Sequence, residues 1–379
     1  MSDDTSTSDD TLRSLLNPRN MALRHKLGIV GLLGLAVLPT VLSPINAFVM
    51  VSAFYFAIFT MSWDVVSGYT GQISFGHGVF FAVGGYTSAL LNMGHGLDPV
   101  LSIPLGVVLA AIAGVIIGVP ALRLRGPYLS LVTLVAPLIL TQIFIVRSDI
   151  FGGELGLGNP DNFLGFGLGD AYAVYYIAFV LFAVILFGLL ALTRSDAGAV
   201  FTAIREDEDA VSAAGLNPAK FKIMAFVLSA AVGGLGGAMF VHTPRASVSP
   251  DVLMSIIINV EVIIAAILGG MGTIVGAAIG GLLLSLLAEQ LIGLDVVIPV
   301  LNTPVSEINF LVFALITLAL LFILPGGIVR WAVGIGGRVV ERTTGKEVAA
   351  DGGTTPLVQV YENYTEQLRE LTGRNDDER

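Results

Sequence analysis

Runs of about 18 to 22 apolar residues, separated by short polar breaks, recur along this 379-residue chain, and each is long enough to cross roughly 30 Å of hydrocarbon as a helix. The composition agrees with that reading. Hydrophobic residues make up 55% of the chain, charged residues 13%, and the mean hydropathy is +0.85, values that a soluble domain of this length would not show. The expected architecture is therefore an all-α polytopic membrane protein.

Spans are expected near 27–43, 47–67, 73–91, 99–121, 128–146, 171–192, 222–241, 253–269, 273–292 and 308–328, about ten transmembrane helices. Charge distribution supports this count, because short cytoplasmic loops collect Lys and Arg. Arg24 and Lys26 precede the first span. Arg123 and Arg125 follow the fourth, Arg194, Arg205, Lys220 and Lys222 lie around the sixth-to-seventh connection, and Arg330, Arg338, Arg342 and Lys346 follow the tenth. These clusters share one face only if ten spans are counted, which makes both termini cytoplasmic. The opposite loops carry Asp98, Asp149, Glu154, Asp161, Asp170, Asp251, Asp295 and Glu307, with Arg147 and Arg245 as the basic exceptions.

Three regions follow. Residues 1–26 read as an acidic, disordered cytoplasmic arm without the basic start or cleavage site of a signal peptide, residues 27–330 as the membrane domain, and 331–379 as a cytoplasmic tail with a short amphipathic helix near 356–371. There is no cysteine, so neither a disulfide nor a thiolate metal site is available. The formal charge of −10 fits either a high-salt habitat or two solvated tails.

Helices in lipid gain nothing by hiding apolar surface from one another and associate through close backbone packing, which small residues allow. Most of the 45 glycines suit that purpose, as at the Gly114/Gly118, Gly233/Gly237, Gly272/Gly276 and Gly276/Gly280 spacings. "GYTGQISFGHGVFFAVGGYTSALL" at 68–91 differs, since Gly68, Gly71, Gly76 and Gly78 crowd around Gln72, Ser74 and His77. Polar or irregular backbone at membrane depth is tolerated where protein buries it or water reaches it, which makes 68–78 a candidate for a translocation pathway. A second glycine break, "ILGGMGTIVGAAIGG" at 267–281, falls on the same predicted side.

The connection at 193–222 is charged, helix-prone and too polar for the bilayer. Its pattern predicts a helix over roughly 196–214 that stops at Gly215, and a restart after Asn217-Pro218. It is either a solvated linker or a docking surface for a soluble partner.

Three separated segments resemble the LivM/LivH-type permeases of branched-chain amino acid ABC importers: the 68–91 stretch, "AIREDEDAVSAAGLNPAKFKIMAFVLSA" in the long connection, and "LGGMGTIVGAAIGG". The segments "LRLRGPYLSLVTL" and "FGGELGLG" bring the chain nearer the LivM half, and the similarity spans roughly 47–328. Asp64 stands where the family pattern suggests asparagine, Ala199 to Thr202 lack the usual basic residue, and Pro137 is unusual in the fifth span.

The resemblance implies an ABC importer permease fold in the cell membrane, paired with a paralogous LivH-type permease, two cytoplasmic ATPases and an extracellular solute-binding protein. It implies that 193–222 docks on the ATPase, with Arg205, Glu206, Asp207, Glu208 and Gly215 as the docking element, and that Leu, Ile and Val lead among cargoes. The chain itself has no Walker A sequence, its nearest Gly345-Lys346 being followed by Glu, so ATP is assigned to partner subunits and no cofactor or nucleic acid is expected. Gly71, Gln72, Ser74, His77, Tyr86 and Glu261 are the pathway candidates. His77 and Glu261 have an alternative as packed polar contacts. Nothing suggests catalysis: the four histidines lack metal spacing and no nucleophile sits beside a base. An ion-coupled secondary transporter of amino acids or small amides such as urea, using Asp64 and Glu261, is the alternative class.

Overall fold

In the computed structural model, the described residues are 23–334 except 123–126, 295, 299–302, 305, 325, 332 and 333. Residues 1–22 of the acidic arm, the Arg123/Arg125 pair and the tail helix expected near 356–371 lie outside them, while residues 23–26, expected in the arm, belong to a helix. Fourteen helices are labelled here: α1 (Leu23–Val37), α2 (Pro44–Thr70), α3 (Gly78–His95), α4 (Pro99–Ala121), α5 (Pro127–Val146), α6 (Ser148–Phe151), α7 (Ala171–Thr193), α8 (Asp196–Glu206), α9 (Glu208–Ala213), α10 (Pro218–Val241), α11 (Pro250–Met254), α12 (Ile256–Gly269), α13 (Ile274–Ile292) and α14 (Asn309–Ile323). The strand content among the described residues is a two-residue antiparallel pair, Val297–Ile298 with Thr303–Pro304. Among the described residues, seven helical segments are long and apolar enough to cross a membrane, and Gly28–Thr40 and Asn309–Ile323 are shorter apolar helices.

The centre of the bundle is built from α2 and α10. Helix α10 packs on α3, α4 and α2, while α2 also carries α13, α7 and α12 on its other sides. Small residues set those distances. A Cβ at Gly84 of α3 would overlap the backbone of Gly234 in α10, and one at Gly280 of α13 would overlap the Ala265 carbonyl of α12, so these helices touch backbone to backbone. Gly114 and Gly118 of α4 instead make room for side chains of α10, the Ala230 methyl and the Phe226 ring. Aromatic packing closes α2 on α7, where Phe54 meets Tyr175 edge-on at 5.2 Å. The last turn of α1 has carbonyls without helical partners. Tyr175 and Tyr176 of α7 donate to two of them, on Leu35 and Ala36, at 2.6 and 3.1 Å.

Several boundaries depart from the sequence expectation, each for a local reason. The third span does not begin at 73, because α2 runs on to Thr70 and residues 71–77 are non-helical before α3 starts. The helix expected over 196–214 is interrupted at Asp207, whose extended backbone (φ −157°, ψ 102°) lets its carboxylate cap α9 by accepting from Ala210 N–H at 2.9 Å. The eighth span is two helices, α11 and α12, divided at Ser255, which caps the second by accepting from Ile258 N–H at 3.4 Å. Both capping changes exploit the preference of short polar side chains for the N-terminal backbone amides.

Candidate functional site

The non-helical segment 71–77 is held by side chains in place of helical hydrogen bonds. Gly71 closes α2 in a left-handed conformation, φ +72°, where any side chain would be strained. Ser67 then serves two backbone groups, donating to Gln72 O at 3.1 Å and accepting from Ser74 N–H at 3.2 Å. Trp63 Nε1 donates to Ser74 O at 2.7 Å, Ser130 Oγ to Ile73 O at 2.8 Å, and Phe75 N–H donates to Thr133 Oγ1 at 3.1 Å. Pro137 has a clear place in this arrangement. Lacking an N–H, it leaves the carbonyl of Thr133, four residues earlier, without its helical bond, and Gly76 packs directly against that carbonyl. Backbone at membrane depth is thus satisfied by buried protein.

The pathway candidates separate into distinct environments. Gln72 is partly buried and folds its Nε2 onto Thr70 O at 3.2 Å. Ser74, His77 and Tyr86 are each 1% exposed. His77 Nε2 lies 3.1 Å from Ser62 Oγ and 2.9 Å from Ser229 Oγ. Both hydroxyls give their protons to backbone carbonyls, Ser62 to Phe59 O and Ser229 to Ser62 O, so Nε2 must be the protonated nitrogen and Nδ1 a bare, unpartnered acceptor. Its ring stacks on Phe59 and meets Phe80 edge-on. Tyr86 sits further along α3 with its hydroxyl unpartnered and its ring against Phe144, 4.4 Å between centroids. Glu261 is half-buried on α12 and makes no hydrogen bond or ion pair among the described residues. None of these six residues lines the cleft of about 430 Å³ at the bundle end opposite the 193–222 connection, which is formed by Asn159, Asp161, Asn162, Thr243 and Pro244 among others.

Beside that cleft is a polar network that sequence reasoning missed. His242 Nδ1 donates to Asp161 O at 2.6 Å, and its Nε2 accepts from Ser88 Oγ at 2.7 Å, with Ser102 Oγ 2.8 Å further on. Asn92 completes it, accepting from Asp161 N–H at 2.8 Å and donating to Asp161 Oδ2 at 3.0 Å. Burial pushes the His242 imidazole below its ordinary pKa, while the Asp161 carbonyl and the nearby carboxylates of Asp161 and Asp98 pull the other way. A polar residue at the end of each of three apolar runs was the available signal.

At the other end the two glycine breaks meet. Asp64, wholly buried in α2, accepts from Gly272 N–H at 2.7 Å. Arg205 of α8 reaches the same place, and its Nη1 donates to Gly68 O at 3.0 Å. Its stem crosses Gly71, and a Cβ on Gly272 would stand 2.7 Å from Nη1. The outer edge of the guanidinium binds Glu206 through Nε at 3.0 Å and Nη2 at 2.7 Å. Glu208 pairs with Lys222 of α10 at 2.8 Å, the lysine side chain being 4% exposed. Gly215 ends the connection's helices at φ +83°, and Asn217 caps α10 with Pro218 in its first turn, as the sequence pattern predicts. Thus Glu206, Asp207 and Gly215 face outward, whereas Arg205 is turned into the bundle.

Comparison with known proteins places the chain in one family. The family model for the permease component of branched-chain amino acid transport systems matches residues 45–324. The chain is 32% identical over 289 residues to the high-affinity branched-chain amino acid transport system permease protein LivM of Escherichia coli K12, covering 69% of this chain and 67% of that one. It is 29% identical to BraD of Pseudomonas aeruginosa over 64% of this chain and 82% of BraD, and 27% identical to Escherichia coli K12 LivH over 72% and 90%. No solved structure matches the chain significantly.

Proposed function

The chain belongs to the permease family of branched-chain amino acid transport systems, and from that premise we propose that it is the membrane-spanning subunit of an ATP-driven importer for Leu, Ile, Val or related amino acids. It is a multi-pass membrane protein and a transport component. In this reading it crosses the membrane ten times, with both termini and residues 193–222 in the cytoplasm. It pairs with a LivH-type permease, receives cargo from an extracellular solute-binding protein, and takes its energy from two separate ATPases that bind the nucleotide.

The observation that carries the reading is the 193–222 connection. It folds into two short helices whose buried residues, Phe201, Ile204 and Val211, anchor it on the bundle, while Glu206, Asp207 and the turn around Gly215 project outward. A self-sufficient carrier has no need of a structured surface there. A soluble partner pressing on it would move a unit already attached to α2 and α10.

The test is uptake of labelled leucine by cells or proteoliposomes containing the chain with its neighbouring permease, ATPases and binding protein. Uptake should require all of them and ATP. Ion-driven uptake by the isolated chain in liposomes would overturn the reading in favour of a secondary carrier. Competition by isoleucine, valine, other amino acids and urea then ranks the cargo.

A further inference from the structure

Arg205 lies in the connection expected to meet the ATPases, yet its side chain is only 16% exposed, against 56% for its neighbour Glu206. It points the other way. Its Nη1 bonds the carbonyl of Gly68 at 3.0 Å, which belongs to the last turn of α2, where carbonyls lack helical partners and a cation is favoured by the helix dipole. The aliphatic stem lies over Gly71, the left-handed residue that ends α2. Gly272, in the second glycine break, allows the guanidinium to approach because it has no Cβ. Gly272 in turn gives its N–H to Asp64, a carboxylate wholly buried four residues before Gly68. Tyr69 adds a parallel tie, its hydroxyl accepting from Ile274 N–H at 3.4 Å. One arginine therefore contacts both the end of α2, at Gly68 and Gly71 where the first break begins, and the second break at 270–273, from a third element.

We propose that Arg205 is a positioning residue inside the permease: a strut that carries displacement of α8 to the two glycine breaks, and not a contact for the ATPase. The proposal rests on the reading above that an ATPase docks on 193–222. Non-helical glycine breaks are the points at which α2/α3 and α12/α13 can pivot, since they lack the helical ladder that stiffens the rest. A guanidinium bonded on one side to the end of α2 that leads into the first break and on the other to Glu206 at the loop surface couples them by geometry alone. The buried Asp64 Oδ2, unpartnered here, faces the same junction and offers a second acceptor within it.

The experiment uses the complete transporter purified with its ATPases and reconstituted with its binding protein, comparing wild type with Arg205→Ala, Arg205→Lys and Glu206→Ala. Three readouts are taken: ATPase subunits retained on purification, cargo-stimulated ATP hydrolysis, and uptake. The expected result for Arg205→Ala is retention within about twofold of wild type, with uptake and cargo stimulation of hydrolysis reduced at least tenfold. Arg205→Lys, which keeps one donor for Gly68 O, should restore part of both. If Arg205→Ala loses the ATPases in proportion to uptake, the residue is a docking contact and the proposal is overturned. It is equally overturned if coupling survives in Arg205→Ala, or if Arg205→Ala fails to assemble and Arg205→Lys behaves as wild type in all readouts. Failure of wild type to retain any ATPase sinks the functional reading itself, a result distinguishable from either.

Discussion

Asn259 shows how one polar side chain sets the path of the backbone. Its Oδ1 accepts from Gly78 N–H at 2.7 Å where α3 begins, while its Nδ2 donates to Met254 O and Ser255 O at 3.3 and 2.8 Å. Replacing it by alanine strands a buried donor, a loss of about 1–3 kcal/mol, and a lower melting temperature of the purified protein in detergent is the expected measurement. His242 gives a pH-dependent counterpart. Its folded pKa is lowered by burial, so its neutral form contributes stability that is present above the unfolded value of about 6.5 and is lost as pH falls below that towards the folded value. Hydrogen-exchange protection of residues 158–163 should weaken between about pH 7.5 and about pH 5.5, and His242→Gln should flatten that dependence. Neither residue stands out in the sequence: Asn259 lies within an apolar run and His242 at the end of one, and their partners Gly78 and Ser88 lie 181 and 154 positions away.

At the scale of elements, capping chemistry decides where helices break. Asp207 divides what an uninterrupted helical pattern would join, because an aspartate that accepts from Ala210 N–H satisfies an amide that a continuing helix would bond elsewhere. Asp207→Ala should cost about 0.5–2 kcal/mol of local stability, read as faster amide exchange across 208–213. Gly215 and Asn217-Pro218 were legible because a left-handed turn and a capped restart need particular residue types. Ion pairs divide by environment in the same way. Lys222–Glu208 joins α9 to α10 with a lysine side chain only 4% exposed, whereas Arg147–Asp149 lies open to solvent at 55% and 63%. Double-mutant cycles should therefore return a measurable coupling for the first pair and none for the second, which solvent and salt screen.

For the whole molecule, the ten-crossing arrangement makes a side-specific prediction. Because the chain has no native cysteine, single substitutions report topology directly: Ser212→Cys should react with an impermeant thiol reagent only after the membrane is opened, and Leu155→Cys, at a residue 91% exposed, should react from outside intact cells. Labelling of both from outside would overturn the orientation. Apolar run length and the glycine, proline and capping residues determined by themselves that this chain is helical, membrane-spanning and broken near 68–78, 215–217 and 270–273, since each of those is a local property of backbone and solvent. Tertiary structure alone decided that Arg205 turns inward, that Thr133 and Pro137 receive the 71–77 segment, and that Ser74, His77 and Tyr86 are packed among neighbours. Those outcomes depend on which helices meet and on the side from which they approach. Uniformly apolar helices carry almost no amphipathic signal for that choice, so it falls to close backbone contacts and to hydrogen bonds between residues far apart in sequence.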